Sequence, residues 1–123
     1  MMKHLDKIEN IIPELINDMS DIVFFIADIN KENPHHVYLS NGFEQMLGYP
    51  KENSLNNFNF FYDIVHPEDT EKVKNEIVGS NYKKTIIFRI KKADGKYIKC
   101  VSHNYSKKID DKEYAYGTMT RIG

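Results

Sequence analysis

Few side chains in this 123-residue sequence are of a type and spacing that could do chemistry. His66 and Asp69 flank Pro67 and Glu68, and an imidazole so close to a carboxylate invites a catalytic or metal-ligating reading. No nucleophile stands beside them, so a helix start is the better reading. Pro67 suits a first helical turn, and Glu68 and Asp69 complement its dipole. His35 and His36 are adjacent. On a strand they would point to opposite faces and could not easily share one ion, so a loop pair is expected. His103 is expected on a strand with Tyr105, facing outward. Cys100 is the single cysteine, which rules out an internal disulfide and favours a reducing compartment. With no Cys/His cluster at zinc spacing, neither a catalytic residue nor a metal ligand is assigned.

The bulk composition narrows the function further. The length fits one domain able to bury a core. Seventeen basic residues are interleaved with 18 acidic ones for a net charge of −1, which leaves no electrostatic footprint for nucleic acid despite 8 Tyr and 7 Phe. The longest apolar run, residues 22–27, is too short to cross a bilayer. The Lys, Asp and Glu residues near the start do not make a signal peptide. A cytoplasmic location is expected, with no membrane insertion.

The elements that must position these residues can be read from periodicity. Leu5, Ile8, Ile12, Leu15 and Met19 alternate spacings of three and four, one stripe of a helix over residues 3–20 that Pro13 should kink or divide. That stripe serves either packing on its own domain or a coiled-coil-like dimer seam, and packing with a contribution to dimerisation is the favoured reading. Residues 22–28 read as a central strand and 37–39 as a short second strand. Asn41 and Glu44 have capping-box spacing for a helix stopped by Gly48 and Pro50. Residues 58–65 read as a loop running into a helical turn. A helix follows from Pro67, with Lys72 placed to pair with Glu68. From Lys84 the period becomes two, and Asp94-Gly95 marks a hairpin. Strands are expected at about 96–106 and 113–121, joined by a turn at Asp110-Asp111.

Two strands, several short helices and three consecutive antiparallel strands resemble a PAS sensory domain. The resemblance rests on Tyr38-Leu39-Ser40-Asn41-Gly42-Phe43 through Leu47-Gly48-Tyr49, on Asp63-Ile64-Val65-His66-Pro67-Glu68-Asp69, and on Phe88-Arg89-Ile90 with Asp94-Gly95. It covers roughly residues 20–122 in one collinear order. The chain departs from many relatives in having no Trp after the Asp-Gly turn, where Tyr97 and Lys99 stand, and in closing on Arg121-Ile122-Gly123. The resemblance implies an α+β fold: a five-stranded antiparallel sheet with short helices packed on one face and an N-terminal flanking helix. Residues 1–20 would be that helix and 21–123 the PAS domain.

It also implies a sensory or regulatory module of a signalling protein. Such a module binds a small ligand or partner and dimerises. It controls an output domain, such as a histidine kinase of a two-component system or a diguanylate cyclase, that lies outside these residues. Pocket candidates on the helix side are Phe43, Met46, Leu47, Phe60, Ile64, Val73 and Ile77. On the sheet side they are Phe24, Ile26, Phe88, Ile90, Ile98, Cys100, Ser102 and Asn104. Ser102 and Asn104 stand out because a buried polar side chain needs a partner. Residues 68–78 hold no His to ligate haem, and residues 56–66 hold no Cys to form a flavin adduct, so both groups are disfavoured. A non-covalent small ligand stays open. The rival readings are a protein-interaction module with a packed, ligand-free core and a small enzyme using His66.

Overall fold

The computed structural model describes residues 11–29, 34–55, 57–77 and 84–122. Leu5, Ile8 and the side chain of Ile77 lie outside the described residues. Helix α1 (Ile11–Asp18) carries Pro13 in its first turn, where a missing backbone donor breaks no helical hydrogen bond. Strands β1 (Ile22–Asp28) and β2 (His35–Leu39) follow. Then come four short helices: α2 (Gly42–Leu47), α3 (Glu52–Leu55), α4 (Phe58–Ile64) and α5 (Thr70–Ile77). Strands β3 (Lys84–Lys91), β4 (Tyr97–Ile109) and β5 (Lys112–Arg121) close the chain.

The five strands form one antiparallel sheet in the order β2-β1-β5-β4-β3, so the last three pair consecutively and β5 is central. Tight turns fix these registers. Asp110 and Asp111 both take positive φ (50° and 67°), which suits the twist of a two-residue hairpin and is tolerated by Asp. Gly95 takes φ 88° in the β3–β4 turn. Gly117 lies opposite Asn104, and a Cβ there would sit 1.8 Å from the His103 carbonyl oxygen. Only glycine lets β4 and β5 approach so closely.

Helices α2 to α5 roof one face. Phe43, Leu47, Ile64 and Val73 pack with Val23, Leu39, Phe88, Ile90 and Met119 in one apolar cluster, the main driving force for the fold. The other face carries α1, whose Pro13, Ile16 and Asn17 line a groove with Phe24, Ile26, Tyr38 and Tyr116. Tyr38 Oη donates to Asn17 Oδ1 across that contact.

Several local expectations need correction. Asn41 is helical in backbone and makes no side-chain cap. Lys51 takes both capping-box partners instead: its Nζ donates to Asn41 Oδ1 (2.8 Å) and its backbone N to Glu44 Oε2 (3.0 Å). Residues 58–64 are helix rather than loop because Asn57 caps them, Oδ1 accepting from Asn59 N at 3.1 Å. Helix α5 starts at Thr70, not Pro67, since His66 O accepts from Asp69 N and Thr70 Oγ1 and closes a separate turn. Lys72 reaches past Glu68 and donates to Ile87 O at 2.6 Å, covering part of the exposed edge of β3. His35 and His36 are strand residues, not a loop pair.

Candidate functional site

Between the sheet and the helical roof lies a cavity of about 30 Å³. From the roof it is lined by Phe43, Phe61 and Val73. From the sheet it is lined by Val23, Phe25 and Ala27 of β1, His36 and Leu39 of β2, Phe88 of β3, Ser102 and Asn104 of β4, and Ala115 and Met119 of β5. Most of the wall is therefore aliphatic or aromatic, with three polar side chains set into it.

Five of the pocket candidates from the sequence line this cavity: Phe43, Val73, Phe88, Ser102 and Asn104. Leu47, Ile64, Ile90, Ile98 and Cys100 are buried in the surrounding cluster without lining it, and Met46 and Phe60 pack half-buried against that cluster. Phe24 and Ile26 are a correction. They lie on the opposite face, where Ile26 is exposed, and Val23, Phe25 and Ala27 take the inward positions. An uninterrupted apolar strand carries no alternation from which its phase can be read.

His36 is the lining residue least visible in the sequence. The register steps from Ile26↔Tyr38 to Ala27↔His36, leaving Val37 as the extra residue of a β-bulge. The bulge turns His36 onto the same face as Leu39, where it is 5% exposed. Its Nδ1 lies 2.9 Å from Ser54 Oγ, and the edges of Phe25 and Phe61 meet its ring at 6.2 and 5.8 Å between centroids. Desolvation dominates its titration and lowers its pKa to about 4, the Ser54 contact opposing and nearby His35 reinforcing the shift. The imidazole is neutral at physiological pH.

Ser102 and Asn104 share the inner face of β4 two residues apart. Asn104 Nδ2 donates to Ser102 Oγ at 2.9 Å and to Ser102 O at 3.4 Å. That carbonyl contact fixes which end of the amide is nitrogen and points Oδ1 elsewhere. Ser106, the next residue on this face, has an Oγ shielded from solvent that finds no partner among the described residues.

The His66–Asp69 pair is not a proton-sharing unit. His66 N donates to Arg89 O (2.9 Å), His66 Nδ1 accepts from Glu68 N (3.1 Å), and its ring lies 4.9 Å from that of Tyr97. Asp69 turns to β3: Oδ2 accepts from Arg89 N (2.8 Å) and Nε (2.9 Å), and Oδ1 accepts from Nη2 (3.0 Å). The Arg89 guanidinium thereby lowers the Asp69 pKa to about 2. With Glu68 Oε2 also accepting from Arg89 Nη2 (3.4 Å), the two acids fasten the roof to the sheet and do not simply complement a helix dipole. Cys100 is fully buried, and desolvation raises its thiol pKa to about 11. His103 is half-buried and contacts Thr85 Oγ1 at 3.2 Å.

Family comparison agrees with this architecture. Residues 36–116 match the model of the PAS fold, from β2 through β5. The chain belongs to the PAS family. Solved structures share its PAS fold across nearly the whole chain. The PAS domain of an HTR-like protein from Haloarcula marismortui superposes with TM-score 0.74 at 14% identity, covering 98% of this chain and 96% of that one. A PAS domain from Colwellia psychrerythraea gives TM-score 0.74 at 20% identity, covering 94% and 97%. The N-terminal domain of a diguanylate cyclase with a PAS/PAC sensor from Marinobacter aquaeolei gives 0.70 at 21% identity, covering 82% and 94%. No curated protein matches the sequence significantly. PAS domains are sensory modules and not catalysts; they commonly dimerise and couple to output domains. No described helix is long and apolar enough to cross a membrane.

The PAS cavity does not fit the larger groups that some PAS domains hold. Its volume is far below the roughly 150 Å³ that admits a single benzene ring. The fused rings of a flavin or the haem macrocycle would require the roof to lift away.

Proposed function

We propose that this PAS domain senses a small molecule in its interior and passes the result to an output domain elsewhere in a cytoplasmic signalling protein. The observation that carries the reading is the cavity wall: His36, Ser102 and Asn104 are set into an otherwise apolar interior. Asn104 Oδ1 and the Ser102 hydroxyl proton meet no described side chain, and a ligand that paired with them would offset the cost of burying them. A ligand bound here would favour one arrangement of roof and sheet over another, and the bias would be read by whatever packs on the outer face.

Residues 1–20 act in this scheme as the flanking helix and 21–123 as the sensing domain, with the chain working as a homodimer. Ile12 and Leu15 of α1 are 65% and 59% exposed, available to a second copy, while Met19 is half-buried. The diguanylate cyclase relative is one example of a PAS sensor joined to an enzyme; a histidine kinase of a two-component system is the other output in view. Native mass spectrometry of the protein as purified, with an absorption spectrum, tests the proposal. A retained small mass supports an occupied sensor. A bare chain that stays bare in cell extract supports the second reading, an interaction module, which the exposed outer sheet around Ile26, Tyr105 and Tyr116 favours.

A further inference from the structure

Resting on the reading of the cavity as a ligand site, we propose that its ligand is a neutral molecule smaller than benzene whose hydroxyl group docks on Ser102 and Asn104. Three observations define that chemistry. First, no lining residue carries a charge at neutral pH, since the one titratable group, His36, is buried in its neutral form. An ion would give up its hydration with no opposite charge to meet it.

Second, the cavity volume of about 30 Å³ is well below the roughly 150 Å³ of a cavity that admits benzene. A few heavy atoms fit with modest side-chain adjustment.

Third, the polar groups offer a specific complement. Asn104 spends its Nδ2 hydrogens on Ser102, and its Oδ1 accepts no bond from a described residue. Ser102 Oγ accepts from Asn104 and keeps its own proton to donate. The pair therefore shows one acceptor and one donor, the complement of a group that both donates and accepts. A hydroxyl is the smallest such group an organic ligand can carry. Ser106 Oγ, one step of about 7 Å further along the same strand face, is shielded from solvent and still without a described partner. The polar track thus continues past the first docking point, beside the small side chain of Ala115, its cross-strand neighbour.

The test uses three probes on the whole chain, followed by NMR chemical-shift titration: 1-propanol, its charged counterpart propionate, and xenon as a purely apolar filler. Saturable shifts at the Asn104 side-chain amide and the Met119 methyl are expected with 1-propanol, and none with propionate at equal concentration and pH 7. Asn104→Leu should weaken 1-propanol at least fivefold, the loss of about one hydrogen bond, while xenon binds as well or better. Ser102→Ala, a smaller change that keeps the fold if the leucine variant does not, should weaken 1-propanol in the same direction. Propionate binding as tightly as 1-propanol, or either variant leaving 1-propanol unaffected, overturns the ligand class while the interior site stands. Absence of saturable shifts with all three probes, xenon included, overturns the reading of the cavity as a ligand site.

Discussion

Two residues show how the same physics acts with opposite sign. His36 is held neutral by burial, its pKa lowered to about 4 from an ordinary 6.5. Above pH 6.5 neither folded nor unfolded chain protonates it. As pH falls below that value the unfolded chain takes up a proton that the fold excludes, so stability declines until about pH 4, by up to about 3 kcal/mol. Urea unfolding at pH 7, 5.5 and 4.5 should therefore show the deficit of His36→Leu relative to wild type shrinking as the solution is acidified. A pH-independent gap between the two would refute the burial account. Asp69 is lowered to about 2 by Arg89, so its contribution is present above pH 3.8 and lost as pH falls towards 2. Asp69→Asn at pH 7 keeps the shape but weakens three charge-assisted bonds at a partly solvated site, with an expected cost of about 1–2 kcal/mol by the same unfolding measurement. No destabilisation would mean that the clasp contributes nothing net.

At the scale of elements, backbone proximity decides more than propensity. Gly117→Ala would place a methyl carbon 1.8 Å from a carbonyl oxygen of β4, and backbone cannot move aside within a central pairing. The expected cost exceeds about 2 kcal/mol, a fall in Tm of roughly 8 °C or more. Gly95→Ala meets no atom within 4 Å and bears only the penalty of its positive φ, so it should cost about 1 kcal/mol. Equal Tm losses for the two would show that the β4–β5 approach is not the constraint. The same contrast explains what could be read in advance. The succession of strands and helices along the chain, the two hairpin turns and the stop at Gly48 were legible because turn residues and period-two patterning are local signals. The candidate site was legible on β3 and β4, where polar and apolar residues alternate. It was illegible on β1, where residues 22–27 are all apolar, and on β2, where the bulge at Val37 reverses the parity that would have placed His36. On β5 the alternation of Ala115, Gly117 and Met119 with Tyr114, Tyr116 and Thr118 is a local signal of its inner face. Capping failed at Asn41 and Glu44 because Lys51, ten and seven residues onward, captured both side chains.

For the whole molecule, the sheet divides its work between two faces. The inner face is closed by the helical roof around the cavity, and changes there alter the fit of roof to sheet. On the outer face α1 shares a groove with Phe24, Ile26 and Tyr38, and Tyr105 and Tyr116, which line the same groove, stack at 5.5 Å and are still reached by solvent. A net charge of −1 opposes self-association little, so apolar area decides whether copies meet. Leu15 is 59% exposed on α1 and Ile26 is 39% exposed on the sheet beneath, which makes them separate probes of a homodimer. Leu15→Asp places a charge on the helix stripe without entering the core, so the far-UV spectrum and Tm should hold while sedimentation shows weaker self-association. Ile26→Asp should do the same if the seam extends onto the sheet. Unchanged oligomeric mass in the first variant alone moves the seam from helix to sheet. Unchanged mass in both removes this face from the dimer, and with it the shortest route by which an event in the cavity could reach a partner subunit.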